Sequence, residues 1–284
     1  MPLQLITDST ADIPNTLIDQ YNIKIIPLYV NFSDGKGNIE TMRDGLDIGP
    51  DLFYRRLRER NLLPTTSQPT VQDFMKVYQE ASTNGTQIVS VHISSLLSGT
   101  YNAAVQAKTQ LKSTSEIEIV DSKLASMGLG LAVLAGAKAI KNGATLQKVV
   151  EDIKIAISQI NIYFVVDTLE YLQKGGRIGK AQALLGSLIS LKPILTMADG
   201  GLQPLERVRT RRKAVGRLVK LVEHAEDVSD ICLIYNTTPE DVEYLKEQIV
   251  RLHPKSNIVT SKLGATLGVH VGPGLIGVAI RSSS

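Results

Sequence analysis

The stretch VHISSLLSGTY, residues 91–101, runs from a strand-like sequence into a cluster of hydroxyls, a glycine and an alanine-dotted helical pattern. A strand that feeds a helix through a short polar turn is the repeating unit of parallel α/β sheets, so this stretch decides the fold class. Upstream, LQLIT reads as a first strand, and Asp12 or Ile13 can open a short helix with Pro14 in its first turn. IKIIPLYVNF follows as a second strand, and GPDLFYRRLRER as a helix. Thr70 and Asp73 have capping-box spacing ahead of VQDFMKVYQEA, and TQIVSVHI is the strand that ends at the hydroxyls. Downstream come a helix from 98 to about 111, the strand EIEIVD, and helices across LASMGLGLAVLAGAKAI and TLQKVVEDIKIAIS.

The second half has a different rhythm. IYFVV is a strand, GKAQALLGSLISL a helix, and PILTM with LQPLERV flank Asp199-Gly200-Gly201 as a hairpin. DICLIY, PEDVEYLKEQIV, NIVTS and LIGVAI complete a mixed α/β pattern. The expected architecture is therefore a two-domain α/β protein. Residues 1–158 form a mainly parallel sheet with flanking helices, residues 159–284 a mixed α/β domain, and the ligand lies in the cleft between or beside them.

The 284 residues are 43% hydrophobic and 21% charged, which suits a globular chain with a substantial core. No run reaches the roughly 18 apolar residues of a membrane span, and MPLQLITDST lacks a basic flank and a cleavage site, so a cytoplasmic location is expected. The lone Cys232, inside ICLIY, reads as a small buried hydrophobe. A net charge of +3 does not suggest a nucleic-acid partner. The charge is uneven, however: Arg207, Arg209, Arg211, Arg212, Lys213, Arg217 and Lys220 face Glu206 alone, which reads as a solvated helix face or as a docking surface.

Ligands of open α/β sheets sit beyond the carboxyl ends of strands. There the sequence gathers Asp8-Ser9-Thr10, the loop PTTSQPT with Thr65 and Thr66, the segment from Ser94 to Thr100, and His270 in the glycine-rich loop GVHVGPG. Each has an ordinary reading as a turn or cap as well. A serine nucleophile elbow would need glycines two positions either side of Ser98, where Leu96 and Thr100 stand. Neither a P-loop nor a dinucleotide fingerprint follows these strands, no metal-ligand spacing occurs, and no cofactor is expected. LQKGGRIGKAQ, with Arg177 and Lys180, offers a weak anion signal. What remains best supported is an anion site of neutral hydroxyls, with a histidine adding charge assistance. The rival is an enzyme, a stand-alone phosphotransferase or hydrolase of a small anion, with Asp8 or Ser98 as nucleophile.

In this order TDST, TTSQP, SSLLSGTY, DSK (121–123), KGGRI, VRTRRKA and HVGPG resemble the DegV family, from Thr7 to Gly274. The resemblance implies a bacterial, non-catalytic protein similar to FakB, the fatty-acid-binding subunit of fatty acid kinase. Such a protein buries a long-chain fatty acid and presents its carboxylate to the catalytic subunit of an ATP-dependent fatty acid kinase, with room for a transient membrane contact. Carried over by motif position, Thr66, Ser98 and His270 would bind the carboxylate, supported around the cleft by Thr65, Ser9, Thr10, Gly99 and Arg177. Arg209, Arg211 and Arg212 would face the partner. Leu96 and Val269 depart from the family pattern and are expected to alter the pocket's shape.

Overall fold

A computed structural model describes residues 2–59, 63–111, 115–185 and 191–283. Strand β1 (Leu3–Asp8) leads through a single 3-10 turn to α1 (Asn15–Tyr21), β2 (Lys24–Ile26), β3 (Tyr29–Ser33), β4 (Ile39–Arg43) and α2 (Pro50–Glu59). Then follow β5 (Thr65–Ser67), α3 (Val71–Ala81), β6 (Gln87–His92), α4 (Thr100–Gln110), β7 (Ile117–Asp121), α5 (Ser126–Lys141) and α6 (Leu146–Gln159). The remainder runs β8 (Ile160–Val165), α7 (Glu170–Lys174), β9 (Lys192–Ala198), β10 (Gly201–Val208), α8 (Arg211–Glu223), β11 (Val228–Tyr235), α9 (Pro239–Leu252), β12 (Asn257–Lys262), α10 (Ala265–Val271) and β13 (Ile276–Ser282).

The four strands β2-β1-β6-β7 form an all-parallel sheet, as the alternation of strand and helix in the first half implies. A six-stranded mixed sheet in the order β10-β9-β8-β13-β11-β12 makes the second half, with only β11 and β12 parallel among its neighbours. The hairpin joining β9 to β10 has a two-residue turn. Asp199 and Gly200 both take positive φ, 53° and 83°, the backbone a right-twisted hairpin requires.

One expected strand is two. IKIIPLYVNF breaks at Pro27, which cannot donate to a ladder, so β2 joins β1 while β3 enters a separate antiparallel sheet, β4-β3-β5. Pro14 sits just outside α1, before Asn15. The helix expected across GKAQALLGSLISL is a short 3-10 segment, Gly179–Leu184; residues 186–190 lie outside the described residues. The Thr70–Asp73 capping box is present, each side chain meeting the other's backbone N–H.

Helix α5 is buried on nearly every face, because it packs against β1 and β6 on one side and β8, β11 and β13 on the other. A helix apolar all round belongs in such a place. One cluster of buried side chains runs unbroken from Leu5 to Ala279 through this helix, joining the two large sheets across residues 158 and 159. Among the described residues no helix is long and apolar enough to cross a membrane. Cys232 is buried in β11, and burial pushes its thiol pKa up.

Candidate functional site: a hydroxyl and imidazole cluster over an apolar cavity

A cavity of about 330 Å³ opens where β6, α5, β8, β10, β11 and α10 converge. Its walls are mainly apolar, with Ile93, Ile162, Phe164, Met197, Ile234 and Leu275 among them. Thr66, Ser98, Arg177 and His270 also line it, so the structure brings these four together from distant parts of the chain.

Each is held by its element. Thr66 is paired with Val30 across β5 and β3, and strand alternation turns it toward the cavity while its neighbour Thr65 stays exposed. Ser98 sits in the turn after β6. Leu97 and Ser98 both donate their N–H groups to Ser94 O, at 2.9 and 3.1 Å, and Ser94 Oγ donates to Gly200 O at 2.7 Å, which fixes the turn to the β9–β10 hairpin. Asp121 accepts from Ser95 N–H and its hydroxyl, so the DSK motif serves as a brace for this turn. Ser98 Oγ also lies 2.8 Å from Thr100 Oγ1 and accepts from Thr100 N–H, so the site serine also braces the start of α4, whose N-cap is Gly99.

His270, expected in a glycine-rich loop, occupies the last turn of α10. Its Nε2 is 2.9 Å from Thr66 Oγ1, and its Nδ1 is buried with no hydrogen-bond partner. Gly175 of KGGRI must be glycine here: a Cβ would fall 2.3 Å from that Nδ1. Burial, and after it the Arg177 charge, hold the imidazole pKa down to about 4, so it is neutral near pH 7. A neutral imidazole meets an anion as a hydrogen-bonding group rather than as a charge. With the proton on Nε2, the imidazole donates to Thr66 Oγ1 and leaves the threonine hydroxyl hydrogen to point at an acceptor; Ser98 supplies another hydroxyl. Arg177 Nε donates to Leu97 O at 3.1 Å and its Nη1 to Gly175 O at 2.7 Å, which pins this cation at the rim.

Other candidate residues have different tasks. Ser9 donates to Asp44 and accepts from Leu28 N–H, while Thr10 is fully buried against Asp8, so both lie beneath the cleft rather than in its wall. Asp8 is wholly enclosed, accepting from Thr10 and Ile93 N–H and facing His92 Nδ1 at 3.0 Å; no nucleophile can act from there. Gly99 lies against Gln68, whose Oε1 would be 2.1 Å from a Cβ at that position. Arg211 does not face outward: it is bound to Asp241, Asp167, Thr238 and Gly274 O. Arg209 and Arg212 are exposed. Leu96 is also exposed, and Val269 packs with Phe53 and Tyr54, so neither departure from the family pattern touches this cavity.

Two buried carboxyls escaped the sequence reading. Asp12 accepts from Gly264 N–H at 2.9 Å and from Ser126 Oγ at 2.5 Å, while Asp44 accepts from Ala265 and Thr266 N–H, so together they hold the start of the helix that carries His270. Although Asp12 as a residue keeps some exposure, its carboxyl is enclosed, and burial pushes its pKa up to about 8; Asp44 is raised for the same reason. Among the described residues no group of acidic, histidine or cysteine side chains has the geometry to hold a metal ion.

Comparison with known proteins covers nearly the whole chain. The DegV family model, described as covering uncharacterised proteins, matches residues 2–283. Protein DegV of Bacillus subtilis is 33% identical over 284 residues, 98% of each chain. The solved structure of a DegV family protein of Thermus thermophilus, described by its fatty acid binding, superposes with a TM-score of 0.90 at 33% identity, covering 99% of this chain and 100% of that one. That of DegV, a fatty acid binding protein from Bacillus subtilis, gives 0.89 at 31% identity with the same coverage. A stearic acid-binding protein from Eubacterium ventriosum gives 0.89 at 26%, covering 98% of each chain. With its ordered motifs, its two large sheets and its full-length match to the family model, the chain belongs to the DegV family.

Proposed function

We propose that this protein binds a long-chain fatty acid, burying the acyl tail in the apolar cavity and holding the carboxylate at Thr66, Ser98 and His270. The observation that carries this reading is the union of a mainly apolar cavity with a hydroxyl and imidazole cluster at its wall. The fatty acids bound by structural relatives support it. Energetics divide the labour. Burying about 15 methylenes at about 0.8 kcal/mol each is worth about 12 kcal/mol before association costs of several kcal/mol, so the tail supplies affinity. Hydrogen bonds to the carboxylate, about 1.5–3 kcal/mol each, fix which end of the ligand faces out and reject chains that lack an acid.

The fatty acid held this way is a substrate for a partner. The carboxylate oxygen attacks the terminal phosphorus of a nucleoside triphosphate bound by the catalytic subunit of a fatty acid kinase; the new O–P bond replaces the bond to the nucleoside diphosphate, which leaves. The exposed Arg209 and Arg212 supply the cationic face for that subunit, while Arg211 is held within the fold by Asp241, Asp167, Thr238 and Gly274 O. The test is incubation of the loaded protein with ATP. Acyl phosphate should form only after the kinase subunit is added; turnover without it would favour the stand-alone phosphotransferase.

A further inference from the structure

A second cavity, also about 330 Å³, lies beside the first and shares Leu97, Arg177 and Leu202 with it. Its other walls have a different character. Gly176, Gly179 and Lys180 come from the glycine-rich turn, Asp199 and Gln203 from the β9–β10 hairpin, and Leu96 from the turn before α4. The first cavity is mainly apolar with neutral donors on its wall, whereas this one has two cationic side chains and backbone bare of side chains at three glycines, Gly176, Gly179 and Gly201. Arg177 is the partition, held by Leu97 O and Gly175 O so that its guanidinium borders both spaces.

We propose that the second cavity receives the phosphoryl group of an acyl phosphate whose chain remains in the first. This rests on the fatty-acid reading above. A carboxylate that gains a phosphoryl group extends by one phosphorus and its oxygens and carries more negative charge, which the neutral donors Thr66, Ser98 and His270 are poorly suited to meet. Arg177 and Lys180 meet it from the neighbouring space, two cations against the one carboxylate of Asp199. The structure therefore offers separate places for the head groups before and after transfer, reached by a short displacement past one arginine.

The test uses the full chain freed of lipid, with palmitate and hexadecyl phosphate as probes, each displacing a fluorescent fatty acid. Lys180→Ala is expected to weaken hexadecyl phosphate about tenfold, the loss of one charge-assisted contact, and to change palmitate less than twofold. Lys180 is exposed, so folding should be unaffected; Lys180→Arg is expected to restore phosphate binding, which a purely structural role would not require. Equal hexadecyl phosphate affinity in wild type and Lys180→Ala would overturn the proposal. So would inorganic phosphate that binds through Lys180 without competing with hexadecyl phosphate, since the cavity would then serve free phosphate. Failure of the wild type to bind palmitate would instead sink the underlying fatty-acid reading.

Discussion

Ser98 shows how one side chain can satisfy a local and a functional demand together. Its oxygen accepts from Thr100 N–H while its position in the cavity wall leaves it facing the ligand space. Ser98→Ala is expected to weaken fatty-acid binding about tenfold, one hydrogen bond to an anion, with only a small change in thermal stability; displacement titration beside a melting curve checks both. Asp12 makes a second residue-scale prediction. Its folded pKa of about 8 exceeds the ordinary 3.8, so the folded state binds the proton more tightly and stability falls as pH rises from about 4 to about 8. His270 has the opposite sign: its folded pKa of about 4 lies below 6.5, so its contribution is complete above pH 6.5 and lost as pH falls toward 4. Between pH 6.5 and 8 only the Asp12 effect remains of these two, at up to about 1.4 kcal/mol per pH unit. Denaturant unfolding across that range should show Asp12→Asn losing less stability than wild type.

At the scale of elements, α10 explains both what the sequence reveals and what it hides. The order of strands and helices around VHISSLLSGTY is readable because β1, β6 and β7 are short segments rich in Leu, Ile and Val with polar stops, a strictly local signal. GATLGVHVGPG reads locally as a loop, since glycine is a poor helix former. It is helical because Asp12 and Asp44, more than 200 residues away in sequence, cap its first turn and because Ala265 and Val269 pack against α2. The β4-β3-β5 sheet was missed for a related reason: its strand β5 is three hydroxyl-bearing residues, Thr65–Ser67, with no apolar alternation to announce it. The candidate site was thus visible as residue types, while the pairing of Thr66 with His270 needed the fold. The glycines of HVGPG are structural. Gly272 ends α10 at φ 69° and ψ −172°, a region reserved almost entirely for glycine, with the Tyr171 ring 2.3 Å from where a Cβ would stand. Gly272→Ala should cost on the order of 1–3 kcal/mol by equilibrium unfolding, and should loosen the ligand site with it.

For the whole molecule, the arrangement is one continuous core with a space left in it. The apolar cluster that joins the parallel sheet to the mixed sheet through α5 also contributes walls of the cavity, and Thr66, Ser98, Arg177 and His270 reach it from β5, the turn after β6, the turn after α7 and the end of α10. Such convergence costs little in the parallel sheet, where strand ends already gather, and the hairpin and α10 complete it from the second half. The apolar volume is expected to be filled in the protein as cells make it. Denaturing mass spectrometry of the purified, unstripped protein tests this most directly. The account predicts about one long-chain fatty acid released per chain; no released acid, together with no uptake of added oleate or palmitate by the same preparation, would contradict it.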